Sequence, residues 1–219
     1  MTPIEKGDLL AKAGATGLCA GANLRTPCGE RRVEFLRKGD LIVTRDDGLQ
    51  PVRLIWTRTV TASEIAADPS LAPIVIRPRA VGPMMPKRTV SMGAAHLLFI
   101  PVCRLDDEDD TTSCLMPARD ITDMSDESFI DRGPEEVIYF NIVFDEPTVF
   151  CANGLPVESF SPNLETLKTT PQAVKKELAA TFPDMDPKFA TYPAPRYKLR
   201  EQMSYTPDYG PPVTGIPAE

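Results

Sequence analysis

Five cysteines and one histidine bound the nucleophilic chemistry open to this chain of 219 residues. The cysteines stand at positions 19, 28, 103, 114 and 151, odd in number and without a C-x-x-C pair. With one imidazole, a zinc site of the usual Cys/His type is not supported, so no metal is expected, and the expected cofactor list is empty. The plain reading is free thiols in a reducing compartment. A thiol attacks as the thiolate, and the group it displaces must take up a proton, so cysteine chemistry needs an acid–base partner. Any histidine-assisted chemistry must use His96, in "VSMGAAHLLFIP". A histidine beside an apolar strand also reads as a hydrogen-bonded core residue, and both readings stand. Cys19 is not read as a lipid attachment point: Leu18 precedes it, with no apolar targeting segment upstream.

Composition narrows the partners. A net charge of -7 argues against nucleic acid and anionic membrane surfaces, which require a basic face. Hydrophobic residues at 42% and charged residues at 25% are those of a globular protein. No apolar run reaches the length of about 18 residues needed to cross a bilayer. The start "MTPIEKGDLLAKAGATG" lacks the basic and apolar regions of a secretory signal, so a cytoplasmic location is expected.

The elements that must position these residues are short strands. "RRVEFLRKGDLIVTRDDG" ends in a turn at Asp46-Asp47-Gly48, and residues 51–60 follow with partial alternation. "APIVIRP" is a third β-branched run, residues 80–88 read as loop, and "HLLFIPVCRL" and "EEVIYFNIVF" are strand candidates. "TVFCANGLPVESF" reads as a strand, an Asn153-Gly154 turn and a second strand. Many short strands punctuated by turns predict an all-β fold. Beyond Phe160, Val174, Leu178 and Phe182 recur at helical spacing between Pro171 and Pro183, predicting one helix near 171–182. A tail rich in proline and tyrosine follows, either draped over the β domain or loose. The acidic run at 106–110 reads as a solvated hairpin tip, Cys28 as a surface turn residue and Trp56 as core.

The order of the blocks carries a resemblance. "LCAGANLRTPCGERRVEFLRKGDLIVTRDDG", then "GAAHLLF", then "CANGLPVESF" resembles the Hint domain of hedgehog autoprocessing domains and inteins, in its bacterial stand-alone form. The match covers residues 17 to about 162, with Val33-Glu34 through Gly39-Asp40 as the charged-turn block. It implies a flattened, horseshoe-like all-β domain over residues 19–162 with an N-terminal leader at 1–18; the helix and extended tail expected at 163–219 lie outside the family pattern. It also implies an N-to-S acyl shift. Cys19 would attack the Leu18 carbonyl to give a thioester, and His96 would protonate the departing amide nitrogen. Its substrate would then be the chain's own N-terminal segment, processed in a single turnover.

The departures from the family pattern set the scope. The histidine block usually carries a hydroxyl three residues before the histidine; that position is Gly93, with Ser91 nearby. A threonine at 93 is therefore expected to speed cleavage. Glu158 and Ser159 stand where inteins end in His-Asn, and Pro147 and Thr148 replace the upstream histidine, so C-terminal cleavage and full splicing are not expected. Thr57 stands at the sterol-activating aspartate of hedgehog domains, so sterol transfer is not implied. Cys151 reads either as a buried small residue or as a second thiol near Cys19, and Asn153 as a turn residue. Two functional readings remain open: a self-processing domain whose thioester is resolved by water or another nucleophile, and a catalytically degenerate Hint module for binding or assembly, its tail meeting a protein partner. A cysteine hydrolase acting in trans lacks a third group to orient His96.

Overall fold

The computed structural model describes residues 14–101, 113–123, 125–184 and 192–199. Residues 1–13, Cys103, the acidic run at 106–110 and most of the proline-rich tail lie outside them.

Strand β1 (Leu18–Cys19) is two residues long, yet it occupies an interior position of a sheet. Its neighbours are β8 (Val90–Gly93) on one side and β12 (Glu136–Val143) on the other, both antiparallel. Beyond β12 lies β6 (Leu54–Thr61), and beyond β8 lie β7 (Pro73–Ile76) and β11 (Ser128–Ile130). In β12, aromatic and β-branched residues fit a pleated surface, and the strand pairs with β6 along its whole length, from Glu136 opposite Thr61 to Val143 opposite Leu54.

The second sheet is built from β2 (Asn23–Thr26), β3 (Gly29–Arg32), β9 (Leu97–Ile100), β10 (Cys114–Pro117), β13 (Val149–Ala152), β14 (Leu155–Glu158) and β15 (Lys198–Leu199). Their order is β15-β10-β9-β14-β13-β2-β3. A separate hairpin joins β4 (Leu41–Val43) to β5 (Leu49–Pro51). The β13–β14 turn is made by Asn153 at φ 50° and Gly154 at φ 86°, the paired positive angles that a tight hairpin demands and that asparagine and glycine supply most cheaply.

The main core joins both sheets: Leu18, Ile74, Met92 and Ile142 from the first pack with Leu24, Leu98, Phe150 and Val157 from the second. Leu18 is fully buried, and burying a leucine contributes about 1.5–3 kcal/mol. The residues just ahead of Cys19 thus belong to the folded body.

The predicted helix is present as α3 (Gln172–Thr181), after α1 (Ala62–Ala67) and α2 (Leu164–Thr169). Val174, Leu178 and Phe182 lay one face of α3 against Trp56, Phe160, Leu54 and Val143. Trp56 is core, meeting Phe160 edge-on at 5.1 Å between ring centroids. Helix α1 is held by a capping box: the Glu64 N–H bonds Thr61 Oγ1, and the Thr61 N–H bonds the Glu64 carboxylate. Its signal, Thr-Ala-Ser-Glu, is present in the sequence although no helix is expected there above.

Of the two expectations for the tail, residues 192–199 follow the draped one. The Tyr192 hydroxyl donates to the Phe144 carbonyl at 2.7 Å, and that of Tyr197 to Asp46 at 2.8 Å. Arg196 pairs with Asp47 at 2.7 Å, and β15 runs parallel to β10. Among the described residues, no helix is long and apolar enough to cross a membrane.

Candidate functional site

The chain ahead of Cys19 threads between two glycine-lined contacts. The Ala95 N–H donates to the Ala15 carbonyl at 3.0 Å, and the Gly93 N–H to the Gly17 carbonyl at 2.9 Å. The close approach needs bare backbone. A Cβ on Gly93 would sit 2.0 Å from the Ala15 oxygen. Gly17, at φ 107°, would place one 2.9 Å from both the Phe140 oxygen and the Asn141 amide nitrogen. The geometry speaks against the gain expected from Gly93→Thr, because the Ala15–Thr16 backbone fills the space the side chain would need. Ser91, half-buried in β8 opposite Val75, is two residues away.

His96 follows the β8 end. Its N–H donates to the Gly93 carbonyl at 2.9 Å, and its carbonyl accepts from Ala118 at 2.8 Å, which pins the backbone. The ring is buried, and Nδ1 accepts the Gly17 N–H at 3.3 Å. The ring proton therefore sits on Nε2, which has no hydrogen-bond partner among the described residues. Burial pushes the imidazole down from 6.5 to about 4, so the ring is neutral at pH 7.

Cys19 is placed differently. Its side chain packs with Ala15, Val60, Ile65, Ala72, Val137 and Tyr139. Burial, reinforced by the negative charge of Asp131, pushes the thiol up to about 12. The structure therefore ties His96 to the Thr16–Gly17 peptide, and sets the Cys19 thiol in an apolar pocket on the same threaded run.

The remaining expected residues have clear places. Asn153 is buried and engaged by its turn: its Oδ1 accepts the Asn23 N–H at 2.9 Å, and its Nδ2 donates to the Thr89 carbonyl at 2.7 Å. Cys151 is exposed in β13, in the sheet that does not hold Cys19, which corrects the expectation of a buried residue and gives no support to a second thiol at Cys19. Cys28 is exposed in the β2–β3 turn.

Two further residues join the site: Asn141, which the sequence did not single out, and Glu158, which the sequence offered only as a departure from the intein ending. Asn141 is buried in β12; its Oδ1 accepts the Thr16 hydroxyl at 2.9 Å, and its Nδ2, beside Gly17, has no partner among the described residues. Its signal is a lone amide inside the apolar run "EEVIYFNIVF". Glu158, at the end of β14, is buried with Oε2 unpartnered, and burial pushes its carboxyl up from 4.5 to about 8. Among the described residues no group of His, Cys, Asp and Glu is arranged to hold a metal ion.

The family model for the Hint domain matches residues 16–163. Among solved structures, the chain is similar to the gp41-1 intein at 12% identity, over 65% of this chain and 98% of that one, with a TM-score of 0.37. It is similar to the MchDnaB-1 intein at 11% identity, over 65% and 99%, with a TM-score of 0.39. A bacterial intein-like domain from Clostridium thermocellum gives 11% identity over 67% and 99%, with a TM-score of 0.39. No curated protein matches. The family match covers well over half the sequence and takes in β1, the histidine turn and the closing hairpin: the chain belongs to the Hint domain family.

Proposed function

We propose that this Hint domain processes itself at Leu18–Cys19 by an N-to-S acyl shift. The thiol of Cys19 loses its proton, Sγ bonds to the Leu18 carbonyl carbon, and the Leu18–Cys19 C–N bond breaks. The amide nitrogen leaves with a proton as the free amine of Cys19, giving a thioester. Water then attacks the thioester, releasing the segment that ends at Leu18 and restoring the thiol. The observation that carries the proposal is the His96 ring seated on the backbone of the run leading into Cys19, at Gly17. The step requires His96 Nδ1, the ring nitrogen without a hydrogen, to exchange the Gly17 N–H for the Cys19 thiol; Nδ1 then takes the thiol proton and returns it to the leaving nitrogen. Asn141 Nδ2, unpartnered beside Gly17, is the amide we assign as donor to the oxyanion that forms on Leu18. With Glu158 and Ser159 at the closing positions, the reaction stops at the first bond, without C-terminal cleavage or splicing.

A second reading is a folded Hint module that does not cleave and serves in binding or assembly, with its tail meeting a protein partner. It is favoured by the thiol at about 12 and by the His96 contact falling on the Gly17 nitrogen instead of that of Cys19. Intact mass after incubation with and without a strong thiol separates the two. Thiol-dependent loss of residues 1–18, absent in Cys19→Ala, supports processing; an unchanged mass supports the module.

A further inference from the structure

A cavity of about 230 Å³ lies between the end of β14, the β9–β10 pair and the segment 192–199, and His96 opens onto it from the side opposite Gly17. Three residues lining it are each more than nine-tenths buried and carry a polar atom with no partner among the described residues: His96 Nε2, Glu158 Oε2 and Ser161 Oγ. The rest of the wall is mostly apolar, with Leu97, Leu115 and Phe160 along it. Pro195, Tyr197 and Leu199 close it from the tail, and Tyr197 packs on Phe99 at 4.7 Å between ring centroids.

We propose that this cavity binds a small neutral molecule with an apolar body and a hydroxyl group, held by His96, Glu158 and Ser161. The donor set selects the class. His96 Nε2–H donates, Ser161 both donates and accepts, and the Glu158 carboxyl offers a second oxygen. A hydroxyl, which donates and accepts at once, satisfies such a ring, whereas a hydrocarbon leaves all three desolvated and unpaired. Arg119, which also lines the cavity, already pairs with Asp120 at 3.5 Å and is partly exposed, so it is a weaker anchor for an anion than the three buried groups are for a hydroxyl. Burial holds His96 and Glu158 neutral near pH 6.5, in keeping with a neutral guest. Gly14 and Thr16 form part of the wall and would leave with the segment released at Leu18, so the site is tested in a chain that cannot cleave.

The probe is benzyl alcohol, with toluene as its match lacking the hydroxyl, titrated into full-length Cys19→Ala at pH 6.5 and followed by NMR. Benzyl alcohol is expected to shift the His96 ring and the Glu158 and Ser161 amides saturably, and to bind more tightly than toluene. Ser161→Ala and Glu158→Leu, each checked for folding by its amide spectrum, are each expected to weaken benzyl alcohol binding by about fivefold, the loss of one net hydrogen bond. Toluene binding as tightly as the alcohol, or the absence of saturable shifts at these three residues, overturns the proposal.

Discussion

The His96 Nδ1 atom accepts the backbone N–H of Gly17 at 3.3 Å, so the imidazole is locked onto the chain two residues before Cys19. That contact fixes the tautomer, joins the histidine turn to the leader, and leaves Nε2–H facing the cavity. It predicts a ring that titrates late. In a pH series followed by the imidazole NMR signals, Nδ1 is expected to stay unprotonated from pH 8 to pH 5, with the transition near the value of about 4 that burial imposes. A midpoint near 6.5 would mean that the ring is open to water.

Gly93→Ala tests the threading of the leader. Its Cβ would fall 2.0 Å from the Ala15 oxygen, so the strand must shift. A loss of about 1–3 kcal/mol or more is expected by urea denaturation, in the range for overpacking a closed site. Unchanged stability would place the leader elsewhere.

Glu158 and His96 give opposite pH dependences. Glu158, raised in the fold to about 8 from 4.5, contributes stability that is present below pH 4.5 and is lost as pH rises to 8. His96, lowered to about 4 from 6.5, contributes stability that is present above pH 6.5 and is lost as pH falls to 4. Among the described residues, Tyr192 lies close enough to Glu158 to feel its charge, and Arg119, Tyr197 and His96 line the same cavity. Between pH 4.5 and 6.5 the two slopes offset, and between 6.5 and 8 stability declines. Glu158→Gln keeps the shape and removes the titration, so the decline above pH 6.5 is expected to disappear from its denaturation midpoints. A decline retained in that variant would assign the effect to another group.

Asn153→Gly keeps the positive φ of the hairpin and deletes the side-chain bonds to Asn23 and Thr89. A cost of about 1–3 kcal/mol is expected, from the buried partners left unpaired. Leader release per folded molecule should not change. A lost reaction in a folded Asn153→Gly protein would give Asn153 a chemical role.

The sequence made the closing hairpin legible because Asn153-Gly154 admits few other backbones, and α3 because its apolar residues fall on one face. It made the order of the blocks legible too. The seat of the leader was not: Gly14, Ala15, Thr16 and Gly17 have no periodicity to read, and β1 is a strand only because β8 and β12 flank it. Gly93 read as a missing hydroxyl because a sequence does not show the backbone passing above it. Glu158 read as a lost intein residue, since its burial depends on the packing of α2 and the tail. Asn141 was visible, as the one amide in an apolar strand.

A thioester between Leu18 and Cys19 is open to hydroxylamine, which a peptide bond resists under the same mild conditions. Hydroxylamine attacks the thioester carbonyl, expels the Cys19 thiolate and leaves a hydroxamate on Leu18. Mass spectrometry of the purified chain after treatment is predicted to show residues 1–18 ending in that hydroxamate and residues 19–219 beginning at Cys19. Cys19→Ala should give neither fragment. An intact chain under these conditions, or the same cleavage in Cys19→Ala, would rule out a thioester at this bond.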